Sequence, residues 1–270
     1  MCLTPINLKK ETWKAKLNDT YHMQQVPCGK CLECLKARVN SWFVRIQNEK
    51  DSATSAYFVT LTYDDCNLSY SDNGNMCLNY RDTQLFWKAL RDINGKSTKI
   101  KYFLVGEYGS KTYRPHYHAI VFNVTDPDFF TKAWKYGNVH VGKVSPASTY
   151  YTLKYALKRA KKIHKKDPFD DRTIEKALMS KGIGLNFLTE DMVAYYKEDV
   201  SRPVTMIGNK KLPLPRYYRD KLFTDKEKLL RNKLLIPHNE KRIDKIADPL
   251  FPQRVNKMYT DEEKKIKKTD

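Results

Sequence analysis

No apolar run in this 270-residue chain approaches the ~20 residues of a membrane-spanning helix, and Met1-Cys2-Leu3 opens no signal segment. The expectation is a soluble, intracellular protein with no membrane partner. Acidic residues are scarce: 31 Asp and Glu stand against 50 Lys and Arg, a formal charge of +19. Such a surplus points to a polyanion as partner. Six cysteines are too few for a disulfide scaffold at this length, which excludes a small stapled secreted domain. There is no Gly-x-x-x-x-Gly-Lys segment, so no P-loop helicase is fused to the chain.

What is present reads as one main domain with decorations. Residues 1–50 form a cysteine-rich segment and a helix over 33–50, where Leu35, Val39, Trp42, Phe43 and Ile46 recur at helical spacing. A core follows over 51–166. Its strands are expected at 56–63, 99–107, 116–124 and 138–144, and its helices at 81–93 (apolar stripe Leu85, Phe86, Leu90, Ile93), 126–135 and 147–164, with a turn at 71–74. The order β-α-β-β-α-β-α is that of an α+β protein with a ferredoxin-like split βαββαβ sheet. We expect four or five antiparallel strands with helices on one face, the other face open to a ligand. Residues 167–258 read as a helical, basic C-terminal extension, with helices near 171–179 and 190–197 and a Gly-rich turn at 181–184. A charged tail occupies 259–270.

The chemistry is concentrated in two stretches. In Arg114-Pro115-His116-Tyr117-His118, strand alternation puts both imidazoles on one face and Tyr117 in the opposite layer. Glu107, at the end of the preceding strand, is placed to be a third ligand. Two histidines and a carboxylate with open positions suit Mg2+ or Mn2+ held also by phosphate oxygens. An isolated His-x-His is commonly an accident of strand alternation; here it keeps company with Tyr151-Thr152-Leu153-Lys154-Tyr155-Ala156-Leu157-Lys158. On a helix Tyr151 and Tyr155 project from one side a turn apart, with Lys154 and Lys158 on the adjoining face. A phenol with a pKa of ~10 needs nearby positive charge or a base to become a nucleophile. Periodicity alone leaves Tyr150 open as that nucleophile.

Candidate nucleic-acid contacts are spread more widely: Thr60, Thr62 and Arg114 in the core, Arg159, Lys161 and Lys162 in a run of bases without acids, and Arg216, Tyr217 and Tyr218, which alternate charge with aromatics as base-stacking surfaces do. A proline-anchored aromatic corner would read the same way at 214–219. Cys28, Cys31 and Cys34 lie close enough in sequence to share one ion, with Cys2 or His22 as a fourth ligand. Structural Zn2+ is the expectation and an iron–sulfur cluster the alternative. Cys66 and Cys77 flank the 71–74 turn as ordinary hairpin residues.

Taken together, Phe58 to Tyr63, His116-Tyr117-His118 and Tyr151 to Lys158 resemble, in that order, the motifs of rolling-circle replication initiators among the HUH endonucleases. With residues 26–38 (VPCGKCLECLKAR), 106–109 (GEYG) and 114–118 (RPHYH), the chain is most similar to the initiators of the gokushovirus branch of microviruses, well over 26–158 and thinly beyond. The resemblance implies an HUH nuclease fold and a phage-encoded enzyme of the host bacterial cytoplasm that nicks single-stranded origin DNA. Tyr151 or Tyr155 would attack the scissile phosphate, leaving a 5′-phosphotyrosine and a 3′-hydroxyl for host DNA polymerase, and the second tyrosine would serve the rejoining round. Host helicase would do the unwinding. Alternatives on the same residues are a transposase or plasmid relaxase and a non-catalytic single-stranded nucleic-acid-binding module.

Overall fold

The computed structural model describes residues 2, 4–8, 24–95, 98–158 and 169–235, with the backbone alone at 7–8, 24–25 and 155–158. His22, Arg159, Lys161, Lys162 and the expected tail from 259 lie outside the described residues. In chain order the elements begin with β1 (Ile6–Leu8), β2 (Gln24–Val26), α1 (Leu32–Ser52) and β3 (Ala56–Thr62). A small hairpin of β4 (Ser69–Tyr70) and β5 (Met76–Cys77) leads to α2 (Tyr80–Asn94), β6 (Lys101–Tyr108) and β7 (Pro115–Phe122). Then come α3 (Asp128–Ala133), β8 (Val139–Lys143), α4 (Pro146–Lys158) and β9 (Ala177–Met179). The last described are α5 (Glu190–Glu198), β10 (Val204–Ile207), β11 (Lys210–Pro213) and α6 (Arg216–Leu222).

The chain divides into two compact units, one of residues 37–187 and 206–215, the other of 1–36, 188–205 and 216–270. In the first, five strands form a sheet in the order β8-β3-β7-β6-β9, every neighbour antiparallel. The fourth, first, third and second long strands thus lie side by side. β3 and β6, joined through α2, are split by β7, as the βαββαβ order requires. The second unit packs α5 against α6 around the buried Tyr196, Tyr218, Leu222 and Phe223.

Three expectations need correction. The sheet has no open face. Val59, Leu61, Tyr117, Ala119 and Val121 pack under α2 and α3, while Phe103, Val105, Ile120 and Phe122 pack under Phe43 and Ile46 of α1 and Leu153 of α4. The cause is legible in 119–122, an unbroken apolar run of Ala, Ile, Val and Phe, which a strand carries when both faces are buried. Second, residues 171–179 are not a helix. Ala177–Met179 pairs with the edge of β6, so that Leu178 lies opposite Leu104. The preceding segment is held extended: Asp171 accepts from Ser71, Asn73 and Asn75 of the β4–β5 turn, and the Lys176 N–H donates to the Tyr80 hydroxyl. An exposed strand edge and an anchored carboxylate outweigh local helix propensity here. Third, the buried side of α2 is formed by Thr83, Phe86, Trp87 and Leu90, whereas Leu85 and Ile93 are exposed. The helix is otherwise as expected, capped by the Asn79 side chain and closed by Gly95 at φ +79°.

Candidate metal and tyrosine site

β7 lies in the middle of the sheet, and its alternation turns His116 and His118 to the face covered by α1 and α4, with Tyr117 buried on the other. Register supplies the rest. Glu107 on β6 and Thr62 on β3 lie directly opposite His116, while Thr60 lies opposite His118. Directly opposed residues share a face, so the carboxylate, two imidazoles and two threonines line one patch. His140 on β8, opposite Thr60, belongs to the same row and is exposed; sequence reading passed over it because it stands alone in its strand.

The three candidate ligands converge. Glu107 Oε2 is 3.6 Å from His116 Nε2 and 3.7 Å from His118 Nε2, and one ligand atom from each residue falls within 4.8 Å of the others. Glu107 and His118 are only 5% and 6% exposed. The far side of each ring is held: His116 Nδ1 donates to the Arg114 carbonyl at 3.1 Å, and His118 Nδ1 lies 3.0 Å from the Thr60 hydroxyl. These contacts favour the tautomers that turn an Nε2 lone pair toward Glu107. Burial disfavours the charged form of His116. Its hydrogen bonds to Glu107 and the Arg114 carbonyl, with the Glu107 charge, outweigh this and raise its pKa above the ordinary histidine value. Two imidazole nitrogens and a carboxylate oxygen so gathered are a donor set that fits a divalent cation with positions left for other oxygens.

α4 delivers the tyrosines. Its start is written in Ser145-Pro146-Ala147-Ser148: Ser145 Oγ accepts from the Ser148 N–H and Ser148 Oγ from the Ser145 N–H, with Pro146 at the first helical position. The helix is clamped to α1 by the Gln47–Thr149 hydrogen bond at 3.2 Å and by Tyr150, whose ring stacks on Phe43 with centroids 4.2 Å apart. Burial raises the Tyr150 pKa. The next residue turns the other way. Tyr151 is 43% exposed and its ring meets His118 edge-on, with centroids 5.2 Å apart, and Phe58 at 6.3 Å. Phe58 itself stacks on His118 at 5.7 Å. Position 155 lies one turn further along α4; its side chain and that of Lys158 are outside what is described, and Lys154 is half-buried.

The remaining candidates are distributed otherwise. Thr60 bonds to His118, and Thr62 Oγ1 donates to the Asn138 carbonyl. Arg114 is engaged by the Asp65 carboxylate and the Tyr63 carbonyl, both at 2.6 Å, which fixes the backbone carbonyl that His116 uses. In the other unit, Arg216 is exposed and pairs with Asp220, Tyr217 is half-buried, and Tyr218 is fully buried. Cys2, Cys28, Cys31 and Cys34 bring their sulfurs within 4.8 Å of one another. Cys66 is exposed and Cys77 buried in β5.

This is an α+β protein whose central strands present a metal-ligand triad beside a helix-borne tyrosine. The family model for replication-associated protein ORF2 matches residues 56–160, and the chain belongs to that family. It is 30% identical to the replication-associated protein ORF2 of Spiroplasma virus 4, in an alignment covering 98% of this chain and 94% of that protein. Identity is also 30% to replication-associated protein VP4 of Bdellovibrio phage phiMH2K (72% of this chain, 66% of that one) and 28% to replication-associated protein ORF4 of Chlamydia phage 1 (76% and 56%). No solved structure matches. Among the described residues no helix is long and apolar enough to cross a membrane.

Proposed function

We propose that the protein initiates phage DNA replication as an HUH endonuclease, nicking single-stranded origin DNA through Tyr151 or Tyr155 and later rejoining the ends. The observation that carries this reading is the edge contact of Tyr151 with His118, which joins a half-exposed phenol to the Glu107–His116–His118 cluster. The replication-associated names of its phage relatives agree with it.

In the reaction, a phenolic oxygen forms a bond to the scissile phosphorus while the bond to the 3′ oxygen breaks. The phenol gives up its proton and the departing oxygen gains one as a 3′-hydroxyl. One phosphodiester is exchanged for a tyrosyl phosphodiester, so the bond energy is kept for rejoining without ATP. Glu107, His116 and His118 would hold Mg2+ or Mn2+, which supplies charge stabilisation at the phosphate oxygens. Thr60 and the Arg114 carbonyl keep the two rings aimed, Tyr151 and Tyr155 serve as alternating nucleophiles, and Lys154 and Lys158 lend positive charge. Host polymerase and helicase, in the host cytoplasm, would complete the replication cycle.

The test incubates full-length protein with labelled single-stranded origin DNA and Mn2+ and resolves covalent adduct on a denaturing gel. Adduct is expected from the wild type and from at least one single Tyr→Phe variant, and none from Tyr151→Phe/Tyr155→Phe. Adduct in the double variant at the wild-type level sinks the assignment.

A further inference from the structure

We propose that Cys2, Cys28, Cys31 and Cys34 form a tetrahedral zinc site that builds the N-terminal part of the chain. This rests on a separate set of residues and is independent of the nuclease reading. The spacing of the sulfurs carries it. Cys28 Sγ lies 3.9 Å from Cys34 Sγ, and Cys31 Sγ lies 3.8 Å from Cys2 Sγ. A zinc–thiolate bond of about 2.3 Å makes the edge of a sulfur tetrahedron about 3.8 Å. Disulfide pairing would bring two sulfurs to about 2.05 Å; all four thiols are free. An iron–sulfur cluster spreads its thiolates over two or more irons, so sulfurs on different metals stand further apart than one tetrahedral edge. Here all of them fall within 4.8 Å of one another, the span of a single ion.

The backbone around the sulfurs is arranged for thiolates. Gly29, at φ +72°, turns the chain so that the N–H groups of Lys30 and Cys31 donate to Cys28 Sγ at 3.4 and 3.3 Å, while the Cys28 N–H donates to Cys2 Sγ at 3.2 Å. The Thr4 hydroxyl donates to Cys28 Sγ at 3.3 Å. Cys31 immediately precedes α1 and Cys34 lies in its first turn, where the helix dipole favours negative charge. The site also answers a deficit. β1 and β2 pair through Ile6–Val26, Asn7–Gln25 and Leu8–Gln24, yet none of residues 26–36 is buried. Three-residue strands without a core do not hold themselves together. An ion bound by Cys2 ahead of β1, Cys28 after β2, and Cys31 and Cys34 at the helix supplies that cross-link, as structural zinc does in small coreless modules.

The experiment measures metal in purified full-length protein by mass spectrometry, in the wild type and in a His116→Ala/His118→Ala background that removes the other ligand cluster. About one zinc per chain is expected in that background, kept in Cys66→Ser and lost in Cys31→Ser/Cys34→Ser. Should the cysteine variant fail to fold, replacement of the metal by Co2+ in the His116→Ala/His118→Ala protein decides: thiolate-to-cobalt charge-transfer absorption with the visible bands of a tetrahedral ion supports the site. Protein without zinc whose four thiols react as fast as Cys66 overturns it, and so does iron accompanied by inorganic sulfide.

Discussion

At the residue scale, the decisive distinction is between Tyr150 and Tyr151, neighbours in sequence that the helix sends in opposite directions. Tyr150 lies against Phe43 in the core, and Tyr151 against His118. Tyr150→Phe is therefore expected to leave DNA adduct formation near wild type, and its failure to do so while the protein stays folded would remove Tyr151 from its proposed part. Thr60 makes a second prediction. Its hydroxyl is 3.0 Å from His118 Nδ1, so Thr60→Val should weaken Mn2+ binding roughly 10–100-fold, the usual cost of losing a contact that orients a ligand. Titration calorimetry checks it, and unchanged affinity would show that Phe58 stacking alone aims the ring. The histidine pair and Glu107 were readable from alternation and strand order. The role of Thr60 was not, because it depends on β3 lying beside β7 at one particular register.

At the scale of elements, the segment that reads as helix and folds as an edge strand shows how a single side chain can redirect a stretch of chain. Hydrogen bonds from Ser71, Asn75 and Asn73 lower the Asp171 pKa from 3.8 to about 2. The folded value lies below the unfolded one, so this anchor contributes stability at pH above 3.8 that fades as pH falls through about 2. NMR titration of the Asp171 carboxylate should give that low midpoint; a midpoint near 3.8 would mean the anchor is absent in solution. Gly137 offers a test of the β3–β8 connection. A Cβ there would stand 2.4 Å from the Thr62 carbonyl oxygen and 2.5 Å from the Asp64 nitrogen, both backbone atoms that cannot swing aside. Gly137→Ala is expected to destabilise the protein by about 1–3 kcal/mol in urea unfolding, the range for forced overpacking.

For the whole molecule, the charge of +19 is the feature that local geometry does not use up. Single-stranded DNA binding should weaken steeply with salt, the logarithm of affinity falling by about 0.7 per neutralised phosphate for each decade of salt. A salt-independent affinity measured by fluorescence anisotropy would contradict a backbone-tracking surface.

The sequence by itself determined the strand and helix order, the metal-ligand motif on alternating positions and the tyrosine-bearing helix. Each of these rests on periodicity between near neighbours, which a linear chain displays directly. It determined as well the cysteine spacing and the polyanion-seeking charge. Only the tertiary structure decided that both faces of the sheet are covered, that Ala177–Met179 joins β6, that Cys2 completes the thiol set, and that Tyr151 rather than Tyr150 meets His118. All of these are contacts between residues distant in sequence, or choices between adjacent residues settled by what the rest of the fold packs against them. Such choices are made by burial and strand register, and neither exists until the chain has closed on itself.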